Sequence, residues 1–196
     1  MSLSSLKVWD AMDASRIAAV DAMAVHGDDT TPGQLGFDAY GARVDALAWI
    51  VEDNNLNRAL DAALGFAAGV RRVAGNAVQL QGSADNAVVT LDSGQTVDCS
   101  LVIGADGARS EVARQCVPGA KETPFVFAYH EIVRRPASPP PGYDPARCDV
   151  VYDGRCSPDF YGWVFPHGDT LSIGTGSADK GFSLRTATAG LREASG

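Results

Sequence analysis

Residues 101–114 read LVIGADGARSEVAR, from Leu101 to Arg114. Leu101, Val102, Ile103 and Gly104 form a continuous apolar run of the kind a strand buried on both faces requires, and Ala105-Asp106-Gly107 breaks it sharply. From Ala108 the pattern turns helical, with Ser110 and Glu111 ahead of Val112, Ala113 and Arg114. A strand, a tight turn and a helix follow, with a carboxylate at the turn and two glycines that let a ligand approach the main chain. Two roles fit Asp106. It accepts hydrogen bonds from ribose hydroxyls while the helix amides face a pyrophosphate, or it caps the helix. The residues alone weigh these equally.

Upstream, between Val70 and Val97, three alternating runs (RRVAGNAVQLQ, NAVVTLDSG, QTVDCS) are separated by Gly75, by Gly82 to Asn86, and by Asp92-Ser93-Gly94. That pattern predicts an antiparallel meander. Before it, Glu52, Asp53 and Asn54 precede an apolar stripe at Leu56, Leu60, Ala63 and Leu64, with Gly65 after it, which predicts a helix opened by capping side chains. Further back, AVDAMAVHG (19–27) and QLGFDAY (34–40) read as two strands around the turn-rich Gly27 to Gly33. Downstream of Pro118 come β-prone runs at 125–134, 149–153, 160–165 and 170–176, with a Pro-rich link from Pro136 to Pro145. These predict a second antiparallel sheet whose aromatic residues suffice to line an apolar pocket. The tail from Lys180 predicts the start of a helix.

The composition narrows the function classes. The chain has 196 residues, a net charge of −8 and 45% hydrophobic residues, as an ordinary globular chain does. Without clustered Lys or Arg, a nucleic-acid partner is not expected, because phosphate affinity comes from basic side chains. No apolar run approaches the ~20 residues that span a bilayer, and the start Met1-Ser2-Leu3-Ser4-Ser5 lacks a signal pattern, which gives a cytoplasmic expectation. Cys99, Cys116, Cys148 and Cys156 form no C-x-x-C, and His26, His130 and His167 lie in separate segments, so no metal site is expected.

The 101–114 segment resembles the Asp-Gly fingerprint of FAD-dependent group A aromatic hydroxylases and their relatives the geranylgeranyl reductases. Asp106, Gly107, Ser110 and Arg114 match the motif, although Ala113 intervenes where the hydroxylase pattern has Arg. The stretches SSLKVWDAM, DAMAVHG, GFDAY and ALAWIVEDNNLNRALDAAL resemble ubiquinone-biosynthesis hydroxylases of the polyprenyl-methoxyphenol type. From about residue 104 onward, ARSEVARQCVPGAKETPFVFAYHEIVRRP and SPDFYGWVFPHGDTLSIGTGS are most similar to geranylgeranyl reductases, and Pro158 to Pro166 fits that family's P-x-x-Y-x-W-x-F-P pattern. The change of branch near residues 105–114 suggests a chimaeric reading frame.

The resemblance implies an α+β fold of the aromatic-hydroxylase type, incomplete in this chain. It implies the first part of a substrate sheet over 1–45, a partial FAD-binding domain with the meander over 46–117, and an antiparallel substrate sheet with a truncated helix over 118–196. Strands near 20–40 should then join those from 125 to 176. It implies FAD and NAD(P)H as cofactors, with Gly104, Asp106, Gly107, Ser110 and Arg114 near the nucleotide and Glu52, Asp53 and Asn54 as further flavin-site candidates, for which capping is the competing role. It implies an isoprenoid or prenylated aromatic substrate facing Tyr161 and Trp163, with Phe165 and Pro166 shaping the wall, and peripheral contact with the inner membrane. No G-x-G-x-x-G occurs, and Gly168-Asp169 has a hairpin context rather than that of the family's later Gly-Asp motif. The competing expectation is therefore an inactive chain without the phosphate-binding loop, at most an apolar-ligand or fragment-complementation module that self-associates through unpaired strands.

Overall fold

The computed structural model describes residues 2–28, 33–83, 85–120 and 123–195; Asp29 to Pro32 of the expected turn-rich loop lie outside them. Two compact units emerge, one formed by 1–67 with 125–196 and the other by 68–124. The stretch 46–67 therefore lies in the first unit.

In the first unit, β1 (Ile17–Val20) pairs antiparallel with β4 (Ala48–Val51). β2 (Ala22–His26) and β3 (Gln34–Asp38) form the expected antiparallel pair, and a one-turn helix α1 (Ala39–Ala42) follows. The helix α2 (Asp53–Phe66) runs through Gly65, one residue past the expected stop. Its stripe works as the spacing predicts: Leu56, Ala59, Leu60 and Ala63 pack with Val8 and Met12 of the N-terminal turns and with Ile17 and Val51 of the β1–β4 ribbon. Leu64 does not join them and is largely exposed.

The main sheet has six strands in the order β3-β2-β9-β10-β11-β8, with β8 Phe127–Arg134, β9 Arg147–Val151, β10 Gly162–His167 and β11 Thr170–Ser177. The strands near 20–40 thus join those from 125 to 176, through the one parallel pairing among the described strands, β2 with β9. Gly168 takes the positive φ of +59° that the two-residue turn between β10 and β11 demands. The tail forms α4 (Leu184–Ala194), capped where the Ser183 hydroxyl accepts from Thr186 N. Its buried Ala187 and Leu191 lie one turn apart. Leu191 closes a core with Cys156, Leu171 and Ile173.

The second unit contains the expected meander, β5 (Ala77–Gly82), β6 (Ala87–Leu91) and β7 (Thr96–Cys99), and the short helix α3 (Glu111–Cys116). One expectation fails here. Leu101 to Gly104 pairs with no described strand, and Leu101 and Ile103 are 73% and 81% exposed. An apolar run becomes a buried strand only where neighbours supply its hydrogen bonds and cover its faces, and none among the described residues of this unit does. No helix among the described residues is long and apolar enough to cross a membrane.

Candidate functional site

Period-two alternation along β10 sorts the P-x-x-Y-x-W-x-F-P residues onto two faces. Val164 and Pro166 stand opposite Ile173 and Leu171, on the side that α4 covers. Trp163 and Phe165 stand opposite Gly174 and Ser172 on the other face, with His130 and Ile132 of β8 beyond them. Phe165 and Pro166 therefore face opposite ways. Pro166 lines a cavity of about 450 Å³ together with Val133, Val164 and Ile173, whereas Phe165 does not.

The aromatic face forms a continuous row. Phe160 stacks on Tyr161 at 4.2 Å, Tyr161 meets Trp163 at 6.2 Å, and Trp163 meets Phe165 at 6.3 Å between ring centroids. The row lies close against β11 because that strand is bare beneath it. A Cβ on Gly174 would stand 2.5 Å from Trp163 Cζ2, and one on Gly176 would stand 2.9 Å from Phe160 Cδ1. The indole Nε1 donates to Ser172 Oγ at 3.2 Å. A polar network fixes the approach to the strand: Ser177 Oγ donates to Asp159 at 2.6 Å, Ala178 N to the same carboxylate at 2.9 Å, and Ser157 Oγ to Gly176 O at 2.7 Å. The Ser177 hydroxyl, followed by the Ala178 amide, holds the Asp159 carboxyl below the usual range. Sequence reasoning missed this clamp, since Ser157, Asp159 and Ser177 read as loop residues until the register brings them together.

Glu52 stands at the N-cap of α2 but makes no capping hydrogen bond. Its carboxylate pairs with Arg16 instead, and His167 Nε2 lies 3.6 Å from Glu52 Oε1, beyond hydrogen-bond reach. Asp53 and Asn54 are exposed in the first turn, where Asp53 complements the helix dipole. The residue that anchors this helix start is Asn55, 2% exposed, whose Oδ1 accepts from Asp13 N and whose Nδ2 donates to Asp13 O, both at 2.9 Å. Its clamp was not visible in sequence, because Asp13 lies 42 residues away.

In the second unit, Asp106 accepts from Glu111 N at 2.7 Å, from Val112 N at 3.2 Å and from the Ser110 hydroxyl, while Ser110 Oγ accepts from Ala113 N at 2.9 Å. The Ser110 hydroxyl and then these amides lower the Asp106 carboxyl below its ordinary range. Of the two roles open to Asp106, the structure displays the cap. Gly107 adopts a φ of +83°, and a Cβ on Gly104 would stand 2.7 Å from Val112 Cγ1, so Gly104 serves close packing against α3. Arg114 Nε donates to Glu111 at 2.6 Å. The first amides of α3 are therefore already bonded within the turn. It offers no free donor set to a diphosphate, and the residues described do not by themselves form a dinucleotide cradle.

No family model matches the chain. It is 47% identical over 134 residues to geranylgeranyl diphosphate reductase of Rhodobacter capsulatus, covering 66% of this chain and 34% of that protein. That share exceeds what residues 104–196 alone can supply, so the reductase likeness reaches into the N-terminal half. The chain is 34% identical over 111 residues to 3-demethoxyubiquinol 3-hydroxylase of Escherichia coli, covering 56% of this chain and 28% of that protein. It spans about a third of the length of these relatives. Among solved structures, a geranylgeranyl bacteriochlorophyll reductase-like protein from Thermoplasma acidophilum superposes with a TM-score of 0.67 at 21% identity, over 93% of this chain and 47% of the other. The halogenase PltM, solved with phloroglucinol and FAD, superposes with a TM-score of 0.59 at 13% identity, over 96% of this chain and 41% of the other. By sequence the chain is similar to geranylgeranyl reductases and to a ubiquinol hydroxylase, and its fold is that of the aromatic-hydroxylase-like FAD-binding proteins.

Proposed function

We propose that this chain supplies the substrate-facing sheet of an FAD-dependent oxidoreductase acting on a prenylated substrate, of the geranylgeranyl reductase or ubiquinone-biosynthesis hydroxylase type. One observation carries the reading: Tyr161, Trp163 and Phe165 form an unbroken aromatic row in a chain 47% identical to a geranylgeranyl diphosphate reductase. A row of aromatic rings suits an unsaturated hydrocarbon chain, which gains contact along its length without demanding polar partners. Tyr161, Trp163 and Phe165 are the substrate-contacting residues, and Pro166 supports the strand from its other face. Gly104, Asp106, Gly107, Ser110 and Arg114 are the nucleotide-side residues of this reading, with NAD(P)H as the electron source, and Glu52, Asp53 and Asn54 its flavin-side residues, although the Asp-Gly turn as it stands does not supply the diphosphate cradle. Because the Asp-Gly turn is saturated, no reaction step is assigned to it.

A second reading, a module that binds the apolar ligand but is inactive alone, is favoured by the same saturated turn and by the exposed Leu101 and Ile103. Incubating the purified chain with FAD, NADPH and either geranylgeranyl diphosphate or a prenylated phenol in air, followed by mass spectrometry, separates the readings. A product with saturated double bonds establishes the reductase, and an oxygenated product from a prenylated phenol establishes the hydroxylase. Ligand binding without turnover establishes the module, and the absence of both binding and turnover overturns the prenyl reading.

A further inference from the structure

The aromatic row has a polar flank, beside Trp163, that neither its motif nor its family likeness assigns. Gly174 stands between Trp163 on β10 and His130 on β8, and its missing side chain lets the two rings approach to 6.4 Å, edge to face. Both rings direct a nitrogen at one hydroxyl: Trp163 Nε1 lies 3.2 Å from Ser172 Oγ, and His130 Nδ1 lies 3.2 Å from the same oxygen. An indole N–H only donates, so Ser172 Oγ is the acceptor in the first bond. The hydroxyl has one proton to give, and His130 Nδ1 is the acceptor within reach. A hydroxyl that accepts and donates at once gains cooperatively from the chain it completes, whereas two donors converging on Oγ would leave its own proton without a partner in this arrangement.

We propose that the relay Trp163 to Ser172 to His130 holds His130 as the tautomer protonated at Nε2, and that this N–H is the hydrogen-bond donor for an oxygen on a ligand lying along the aromatic row. His130 is exposed, so its outer nitrogen is accessible, and it shares the open sheet face with Trp163 and Phe165. The ligand class is an unsaturated or aromatic chain bearing an oxygen acceptor, such as an alcohol, phenol or quinone. The ligand part rests on the prenyl reading above; the tautomer part does not. Ser172 acts as a positioning residue, because it sets which nitrogen of His130 carries the proton.

Two measurements on the whole chain test the proposal. In 15N NMR of the histidine side chains at neutral pH, His130 gives the pattern of an Nε2-protonated ring, and Ser172→Ala returns it to a mixture of tautomers. An Nδ1-protonated ring, or a ring indifferent to Ser172→Ala, overturns the relay. Binding is then followed by Trp fluorescence with farnesol and with farnesene, which has the hydrocarbon skeleton without the oxygen. His130→Ala weakens farnesol binding about threefold to tenfold, the worth of one net hydrogen bond, and leaves farnesene binding unchanged, while His130→Gln, which keeps an N–H donor, restores much of the loss. If His130→Ala affects both ligands equally or neither, the ligand contact is overturned although the prenyl reading stands. If neither ligand binds the wild-type chain, the prenyl reading falls and takes the ligand contact with it, whatever the tautomer.

Discussion

The two units of this chain are built from strands of similar length and similar alternation, yet they bury very different amounts of apolar surface. In the first unit the six-stranded sheet and α4 enclose Leu171, Ile173 and Leu191, and a second cluster forms where α2 meets Val8 and Met12. In the second, Leu91 is the one described apolar side chain that is buried, while Val78, Leu101, Ile103 and Val117 are exposed. Alternation makes a strand; a second layer makes a core. The contrast shows why the meander is legible as secondary structure although its unit buries little apolar surface.

Deleting core side chains sharpens that contrast most. Ile173, 2% exposed, is expected to cost about 3 kcal/mol when cut to alanine, because a cavity remains under α4. Ile103→Ala, at 81% exposure, is expected to change the urea midpoint by less than about 0.5 kcal/mol equivalent. Equal losses at the two positions would break the distinction. Next in size, Asn55→Ala leaves the Asp13 amide and carbonyl without their partners and should cost about 2 kcal/mol in the same denaturation experiment. Gly174→Ala drives a methyl into Trp163 and the Tyr129 carbonyl and should cost about 1–2 kcal/mol, with a shifted tryptophan emission as its local signature.

The cysteines divide evenly between the units and report on each. Cys116 is exposed and Cys99 half-buried in the second unit, whereas Cys148 and Cys156 are buried in the first. Burial pushes the Cys148 thiol up to about 11, so at pH 8 it holds little thiolate. Iodoacetamide should therefore modify Cys116 first and Cys148 last, as peptide mapping will show, and rapid labelling of Cys148 would mean that the first unit opens easily.

The smallest effect is an acid one. Asp106 titrates below its ordinary value when α3 is folded, so its contribution is present above the unfolded pKa near ~3.9 and is lost as pH falls through the lower folded value. Hydrogen exchange at Glu111 and Val112 should quicken over that acid window in the wild type and be fast already at pH 6 in Asp106→Ala.

Much of the fold was legible because period and punctuation agree. The stripe of α2, the meander and the runs of β8 to β11 required only local rules. The joining of residues 20–40 to residues 125–176 came from the family likeness. What stayed hidden depends on partners distant in sequence. Ala48 to Val51 reads as an apolar run, but nothing local shows that Ile17 to Val20 lies beside it. Leu101 to Ile103 reads as a buried strand because composition specifies what a strand would bury and not whether a neighbour exists. At the candidate site the aromatic row was visible from spacing, yet its support was not: Gly174 and Gly176 beneath the rings, Ser172 between two of them and the Asp159 clamp appear only once the register of β10 on β11 is known.

The parallel pairing of β2 with β9 sets a timetable for synthesis. His26 and Asp149, which touch across it, lie 123 residues apart, and the entire second unit is made between them. At typical ribosome speeds that interval is about 6–25 s, during which β2 and β3 have emerged with one edge waiting for a strand not yet translated. The meander, with its short-range pairings, can fold in microseconds to milliseconds as it appears, whereas the sheet that holds the aromatic row must wait for residues 147–177. A nascent chain stalled near residue 140 would therefore display a folded insert between two unfinished halves of the sheet, and the exposed edge of β2 is where a chaperone has most to protect.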